Sequence, residues 1–176
     1  MNDIKIRLAT VEDAKDILKI YEYYVLNTAI SFEYAIPTLD EFKTRIKKTL
    51  KKYPYYIALI DDKIVGYAYA SPFGEREAYK YSVELSIYID KDYKRKGIGR
   101  LLYDTLEQEL KTNGITNLYA LIVTQRKEDK YLNFDSENFH KSLGFKQVGK
   151  CSKCGYKFNR WYDVIYTEKI IKEHWM

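Results

Sequence analysis

Lys94-Arg95-Lys96-Gly97-Ile98-Gly99-Arg100 stands between two segments of opposite period. Before it, Ser82 to Ile89 is rich in β-branched residues and reads as a strand. After it, Ile98, Leu102, Leu106 and Leu110 fall on one helical stripe, and Gly114 supplies the stop. A strand, a glycine turn and a helix in that order make an anion site. Glycine lets the backbone come close to a ligand, and the free N–H groups of a helix start point at phosphate oxygens. Arg95, Lys96 and Arg100 add positive charge. Two phosphate motifs fail on the residues present. A dinucleotide fingerprint needs glycine where Leu102 stands, and a Walker A loop needs a Gly-Lys pair at the helix start. A bare Gly-x-Gly can also be a tight turn that starts a helix, so the surrounding chain has to decide.

Working outward, Ile4, Ile6 and Leu8 alternate with polar residues and predict a first strand. Thr10 with Asp13, and Thr38 with Glu41, have the spacing of capping boxes and predict two helix starts. The first helix carries Ile17, Leu18, Tyr21 and Val25, the second Phe42, Ile46 and Leu50. Tyr55 to Ile60, a turn at Asp61-Asp62-Lys63 and Ile64 to Ala70 predict a hairpin. Leu118 to Val123 reads as a buried strand, Gln125 to Lys130 as a charged loop, and a helix then runs to about Leu143 before Gly144. Two last strands are expected near Phe145 to Lys150 and Trp161 to Lys169. The order β-α-α-β-β-β-α-β-α-β-β predicts one mixed sheet covered by helices, an α/β (α+β) domain spanning 1–176.

Composition narrows the function. The 176 residues are 46% hydrophobic, with 30 basic and 25 acidic residues spread along the chain and a net charge of +5. That balance is not the one-sided surface of a nucleic-acid binder. The longest apolar runs are far short of the roughly 20 residues of a membrane span, and the first residues carry no signal-peptide stretch, so a cytoplasmic protein is expected. Cys151 and Cys154 are spaced Cys-x-x-Cys, but a zinc site would need four ligands and both histidines, His140 and His174. Two reduced thiols and no metal are expected.

Lys94-x-x-Gly97-x-Gly99 resembles the pyrophosphate loop of the GNAT acetyltransferase superfamily, with Lys94 where Gln or Arg is usual. Asn133, His140 and Leu143-Gly144-Phe145 resemble its second signature. Tyr67-Ala68-Tyr69-Ala70-Ser71-Pro72-Phe73, Arg76, Ala78-Tyr79, Val83-Glu84, Gly155-Tyr156-Lys157-Phe158 and Arg160-Trp161-Tyr162-Asp163 are similar to the phosphinothricin and methionine sulfoximine acetyltransferases. The resemblance implies the GNAT fold, a mostly antiparallel sheet whose central strands splay to admit acetyl-CoA, and acetyl transfer to the amine of a small amino-acid-like molecule. It also implies a homodimer.

It implies roles as well. Backbone groups of Ile87, Tyr88 and Ile89, the Arg95-Lys96-Gly97-Ile98-Gly99-Arg100 loop and Asn133 would hold the cofactor. Phe32, Glu33, Arg76, Tyr79 and Lys157 would line the acceptor site, where arginine suits an oxyanion because its planar fork binds in bidentate fashion. Glu84 is the expected base. It lies between Val83 and Leu85 on what reads as an interior strand, and a buried carboxylate is costly without a partner or a task. Burial would raise its pKa towards a useful value. An exposed or salt-bridged glutamate is the plainer alternative. His140 would either protonate the leaving thiolate or relay the amine proton, against the alternative of a structural histidine. Asn133 could equally be a helix cap. An α-amine is the favoured acceptor. Its pKa near 8 leaves about a tenth neutral at pH 7, against less than about 0.1% for a lysine amine. A different amine, or a non-catalytic acetyl-CoA-binding module, remains as an alternative.

Overall fold

The computed structural model describes residues 3–174. The chain runs through β1 (Lys5–Leu8), a 3-10 turn (Val11–Asp13), α1 (Ala14–Asn27), α2 (Leu39–Leu50), β2 (Tyr55–Ile60), β3 (Lys63–Pro72) and β4 (Ser82–Ile89). It continues through α3 (Ile98–Thr112), β5 (Asn117–Thr124), α4 (Asp135–Ser142), β6 (Lys146–Lys157) and β7 (Arg160–Ile170). The seven strands form one sheet in the order β1-β2-β3-β4-β5-β7-β6.

Local chemistry sets most boundaries. Thr38 caps α2: its hydroxyl accepts from Glu41 N–H, while the Glu41 carboxylate accepts from Thr38 N–H at 2.7 Å. Thr10 and Asp13 form a second box, which opens the 3-10 turn ahead of α1. Asp61 and Asp62 both have positive φ, the two-residue turn that matches strand twist in a hairpin. Gly114 and Gly144, at φ +84° and +90°, follow α3 and α4.

Alternation along the strands divides the core in two. Ala58, Val65, Ala68, Ala70 and Leu85 pack with the α3 stripe Ile98, Leu102, Leu106 and Leu110. Tyr55, Ile57, Ile64 and Tyr67 face the other way, against α1 and α2. The small residues in the middle of β3 let α3 lie close to the sheet.

All neighbouring strands are antiparallel except β4 and β5, which run parallel. Their pairing covers only Ser82, Val83 and Glu84, opposite Asn117, Leu118 and Tyr119. Beyond Glu84, β4 pairs with β3 alone and β5 with β7 alone, so the sheet opens into a wedge at its centre.

One expectation about the strands is corrected. β6 does not end near Lys150 but runs to Lys157, with a register shift between Cys151 and Gly155. Cys151-Ser152-Lys153-Cys154-Gly155 breaks the two-residue period, and Lys153 has positive φ, the signature of a bulge. Both cysteines are free and exposed on this edge strand.

Candidate active site

The wedge holds two adjoining cavities. One, of about 450 Å³, is lined by Lys94, Arg95, Gly97, Ile98, Gly99 and Arg100 on one side and by Asp135, Ser136 and Phe139 of α4 on the other. The second, of about 520 Å³, contains Glu84, Tyr103, His140, Phe32 and Glu33. Ile30, Ile87 and Ser136 line both, so the two share a wall.

The first cavity has the requirements of a pyrophosphate and its attached arm. Gly97 sits at φ +81°, and no side chain caps the start of the 15-residue α3 behind it. The first turn of α3 holds no acidic residue. The helix N–H groups and the positive end of the dipole are therefore directed at the cavity. Gly99 is needed for space: a Cβ there would come within 3.0 Å of the Phe139 ring. Deeper in, Leu85 to Ile89 lack a strand partner on the side facing β5. That leaves backbone groups for an amide-bearing arm. Tyr24 takes part of this edge, donating its hydroxyl to Ile89 O at 2.5 Å. These features fit acetyl-CoA.

Glu84 marks the point where the strands part. Its side chain lines the second cavity, and burial pushes its carboxyl above the usual carboxylate range. Among the described residues it makes no ion pair. A carboxyl in that setting takes up a proton more readily than an exposed one and is a candidate general base.

His140 is buried on α4, and its tautomer follows from its partners. Nδ1 lies 2.7 Å from Ser136 O, and a carbonyl can only accept. Nδ1 therefore carries the proton, and Nε2 accepts from the Tyr103 hydroxyl at 3.0 Å. Burial lowers the His140 pKa to about 4, so the ring is neutral at pH 7. Its one N–H is committed to Ser136, which argues against direct donation to a thiolate. Burial also pushes the Tyr103 phenol well above its ordinary value, so the tyrosine keeps its proton and presents hydroxyl lone pairs to the cavity.

The other expected residues divide. Phe32 and Glu33 line the acceptor cavity, as does Tyr88. Phe32 is held by the β6 edge, because a Cβ on Gly155 would run into its ring. Glu33 is fixed by Arg45 at 2.5 Å. Ile89 lines the first cavity, while Lys96 instead lays its ammonium 4.5 Å from the Tyr93 ring centroid. Asn133 is exposed and acts locally: its Oδ1 accepts from Asp135 N–H at 3.1 Å and its amide donates to the Asp135 carboxylate. Arg76 and Tyr79 are exposed on the loop after β3 and line neither cavity.

Lys157 departs furthest from its expected role. It is buried, and its ammonium donates to Val25 O, Thr28 O and Ser31 O at 2.7, 2.9 and 2.6 Å. All three protons are used, so none is left for a substrate anion. Tyr103 does not stand out in the sequence. It lies one residue off the α3 stripe, and among 19 tyrosines its type carried no signal.

Among the described residues, no group of three or more His, Cys, Asp or Glu is placed to hold a metal ion, and no helix is long and apolar enough to cross a membrane.

A sheet parted between parallel strands, an anion-binding helix start at one end of the gap and a half-buried carboxyl at the other define an enzyme that takes an acyl group from a long, phosphate-bearing carrier. Comparison with known proteins narrows this class: residues 6–166 match the acetyltransferase (GNAT) domain, and the chain belongs to that family. It is an N-acetyltransferase that uses acetyl-CoA. It is 32% identical to the phosphinothricin N-acetyltransferase of Alcaligenes faecalis, over 93% of this chain and 81% of that one. It is 29% identical to the L-methionine sulfoximine/L-methionine sulfone acetyltransferase of Salmonella typhimurium, over 96% and 95% of the two chains. The crystal structure of a phosphinothricin acetyltransferase from Sinorhizobium meliloti, in complex with acetyl-CoA, superposes with a TM-score of 0.86 at 31% identity, over 95% of this chain and 88% of that one.

Proposed function

We propose that this enzyme acetylates the α-amino group of a small amino-acid-like substrate such as phosphinothricin or methionine sulfoximine. The observation that carries the reading is the half-buried Glu84 carboxyl, without an ion pair among the described residues, at the apex of the wedge and in the same cavity as Tyr103 and His140. The relatives named for these compounds support the substrate class.

Bound acetyl-CoA would supply the thioester carbonyl and the thiol leaving group. The residues of this chain act on the acceptor. Glu84 takes the proton that the acceptor nitrogen loses as the N–C bond forms. The C–S bond would break with sulfur keeping the electron pair and taking a proton from water, Glu84 returning its proton to solvent, so that the net products are one amide and one thiol. The Tyr103 hydroxyl, its proton directed at His140 Nε2, offers lone pairs that orient the acceptor N–H. Backbone N–H groups on the free side of β4 meet the developing oxyanion, a contribution of about 10²–10³ in rate.

A homodimer would give Arg76 and Tyr79, which line neither cavity of their own chain, a partner's site to serve. Trp161 and Tyr156, exposed and in ring contact on the C-terminal hairpin, support a packing surface there. Sedimentation of the free enzyme as a monomer at micromolar concentration would remove this part. Two free, exposed cysteines suit a reducing compartment, in keeping with a cytoplasmic enzyme.

The test of the function is release of CoA thiol from acetyl-CoA with phosphinothricin, methionine sulfoximine, methionine sulfone, polyamines and a peptide N-terminus as acceptors. Turnover confined to the amino-acid analogues is expected. Turnover with polyamines or peptides alone would overturn the substrate class and leave the chemistry intact.

A further inference from the structure

Behind the acceptor cavity lies another, of about 400 Å³, between α2 and the β2–β3 hairpin. The two share Tyr21 and Glu33 as a common wall. That wall is fixed: the Tyr21 and Ser31 hydroxyls are 2.8 Å apart, and Glu33 is paired with Arg45. Tyr69 and Ser71, which line the rear cavity, pair across the sheet with Ser86 and Glu84, which line the acceptor cavity, so the rear cavity adjoins the reacting end.

Its lining combines two features. The floor is a stack of tyrosines: the Tyr55 ring lies 4.8 Å from Tyr69 and 5.7 Å from Tyr67, at interplanar angles of 11° and 13°. Tyr55 and Tyr67 are 3% and 1% exposed, yet neither hydroxyl hydrogen-bonds to another described residue. No fully enclosed polar side-chain atom lacks a partner among the described residues, so these two hydroxyls open onto space. Buried phenols normally find partners. The rim is cationic. Arg45 and Lys48 on α2, with Lys52 in the turn that follows it, line the cavity against the single carboxylate of Glu33, and that carboxylate is taken by Arg45. Lys48 and Lys52 make no ion pair among the described residues.

We propose that this cavity is a specificity subsite for the acceptor's side chain, and that it selects a flat, aromatic side chain ending in an oxyanion. The proposal rests on the acceptor reading above and deepens it. Its volume is in the range of small-molecule sites, and a methionine-sized side chain would leave most of it empty. The parallel tyrosine rings continue onto a flat group, free phenol hydroxyls donate to an anion's oxygens, and the two lysines supply charge. The amine remains beside Glu84 while the side chain extends along Tyr21 and Glu33, which line both cavities.

The experiment compares kcat/KM for p-carboxy-L-phenylalanine and L-phenylalanine, with L-methionine sulfone as a reference acceptor. The carboxylate is expected to be preferred at least about 10-fold. The preference should fall towards unity in the double variant Lys48→Ala/Lys52→Ala, and in Tyr55→Phe, which removes one oxygen and leaves the ring. Acetylation of methionine sulfone with no preference for the carboxylate overturns the subsite and leaves the acetyltransferase reading standing. So does a preference that survives in both variants. Should none of these amines turn over, the acceptor reading fails, and calorimetric binding of p-carboxy-L-phenylalanine decides the subsite separately. Binding weakened at least about 10-fold by Lys48→Ala/Lys52→Ala keeps it, and absence of binding to the unaltered enzyme discards it.

Discussion

The Tyr103 hydroxyl donates to Nε2 of His140 at 3.0 Å, and it can do so because Ser136 O has already fixed the histidine proton on Nδ1. One side chain comes from α3 and the other from α4, so the bond joins the helix that starts at the phosphate loop to the helix that covers the gap. Tyr103→Phe keeps the ring and removes the bond. Turnover is expected to fall about 10²-fold, within the range for groups that act in proton handling. Affinity for CoA, measured by calorimetry, should stay within about twofold, because Tyr103 does not line the cofactor cavity. Unaltered turnover would leave the pair a structural contact only.

Glu84 works as a base only when ionised. Its folded pKa is raised by burial, so activity should fall with decreasing pH at values above the ordinary carboxylate pKa of about 4.3. The acceptor's own α-amine gives a second limb near pH 8. Glu84→Gln should lose about 10²–10⁴ in turnover and also lose the lower limb, while the limb near 8 persists. A pH profile of Glu84→Gln that keeps both limbs would remove Glu84 from the proton path.

His140 links the site to stability. Its pKa falls from an ordinary value of 6.5 to about 4 on folding, so between those values the unfolded chain binds the extra proton. Stability therefore rises with pH through this window and is lost as pH falls through it. The full span corresponds to about 3 kcal/mol, and the drop from pH 7.5 to 5 to about 2 kcal/mol. Urea unfolding at these two pH values should show that loss in the native sequence in excess of the loss in His140→Gln. The contribution of Glu84 has the opposite sign, but it is common to both proteins and cancels in the difference. An equal drop in both would mean that the histidine is not buried in its neutral form.

The parts of this architecture that were legible are those written in neighbouring residues. Capping boxes at Thr10 and Thr38, the Asp61-Asp62 turn and the stop at Gly114 are contiguous signals, and each marks an element boundary in the fold. Glu84 and His140, which line one cavity, stand out in the sequence because each is an unusual residue type for its place, a carboxylate in an apolar strand and one of two histidines in the chain. Tyr103 was hidden because its meaning comes from a ring 37 positions away. The full length of β6 is hidden because a bulge breaks the alternation that marks a strand. The role of Lys157 is hidden for a related reason. A lysine near an acceptor motif suggests an anion, and nothing local shows that three carbonyls 126 to 132 positions earlier have taken its protons.

Those carbonyls make Lys157 a sensitive position. Val25 is in the last turn of α1, where carbonyls have no partner within the helix and a cation is favoured by the dipole. Thr28 and Ser31 continue from that turn into the segment that carries Ile30 and Phe32 to the two cavities. One ammonium at the end of β6 thus ties the C-terminal hairpin to the acceptor wall. Lys157→Met retains an apolar stem of similar length and leaves the three carbonyls without that donor. The cost should be about 3 kcal/mol or more in urea unfolding, since each abandoned buried acceptor costs about 1–3 kcal/mol. KM for the acceptor should rise more than KM for acetyl-CoA, because Phe32 and Ser31 line only the acceptor side. A variant within about 0.5 kcal/mol of the native protein, with unchanged acceptor KM, would mean that water replaces the ammonium and that the hairpin does not hold the wall.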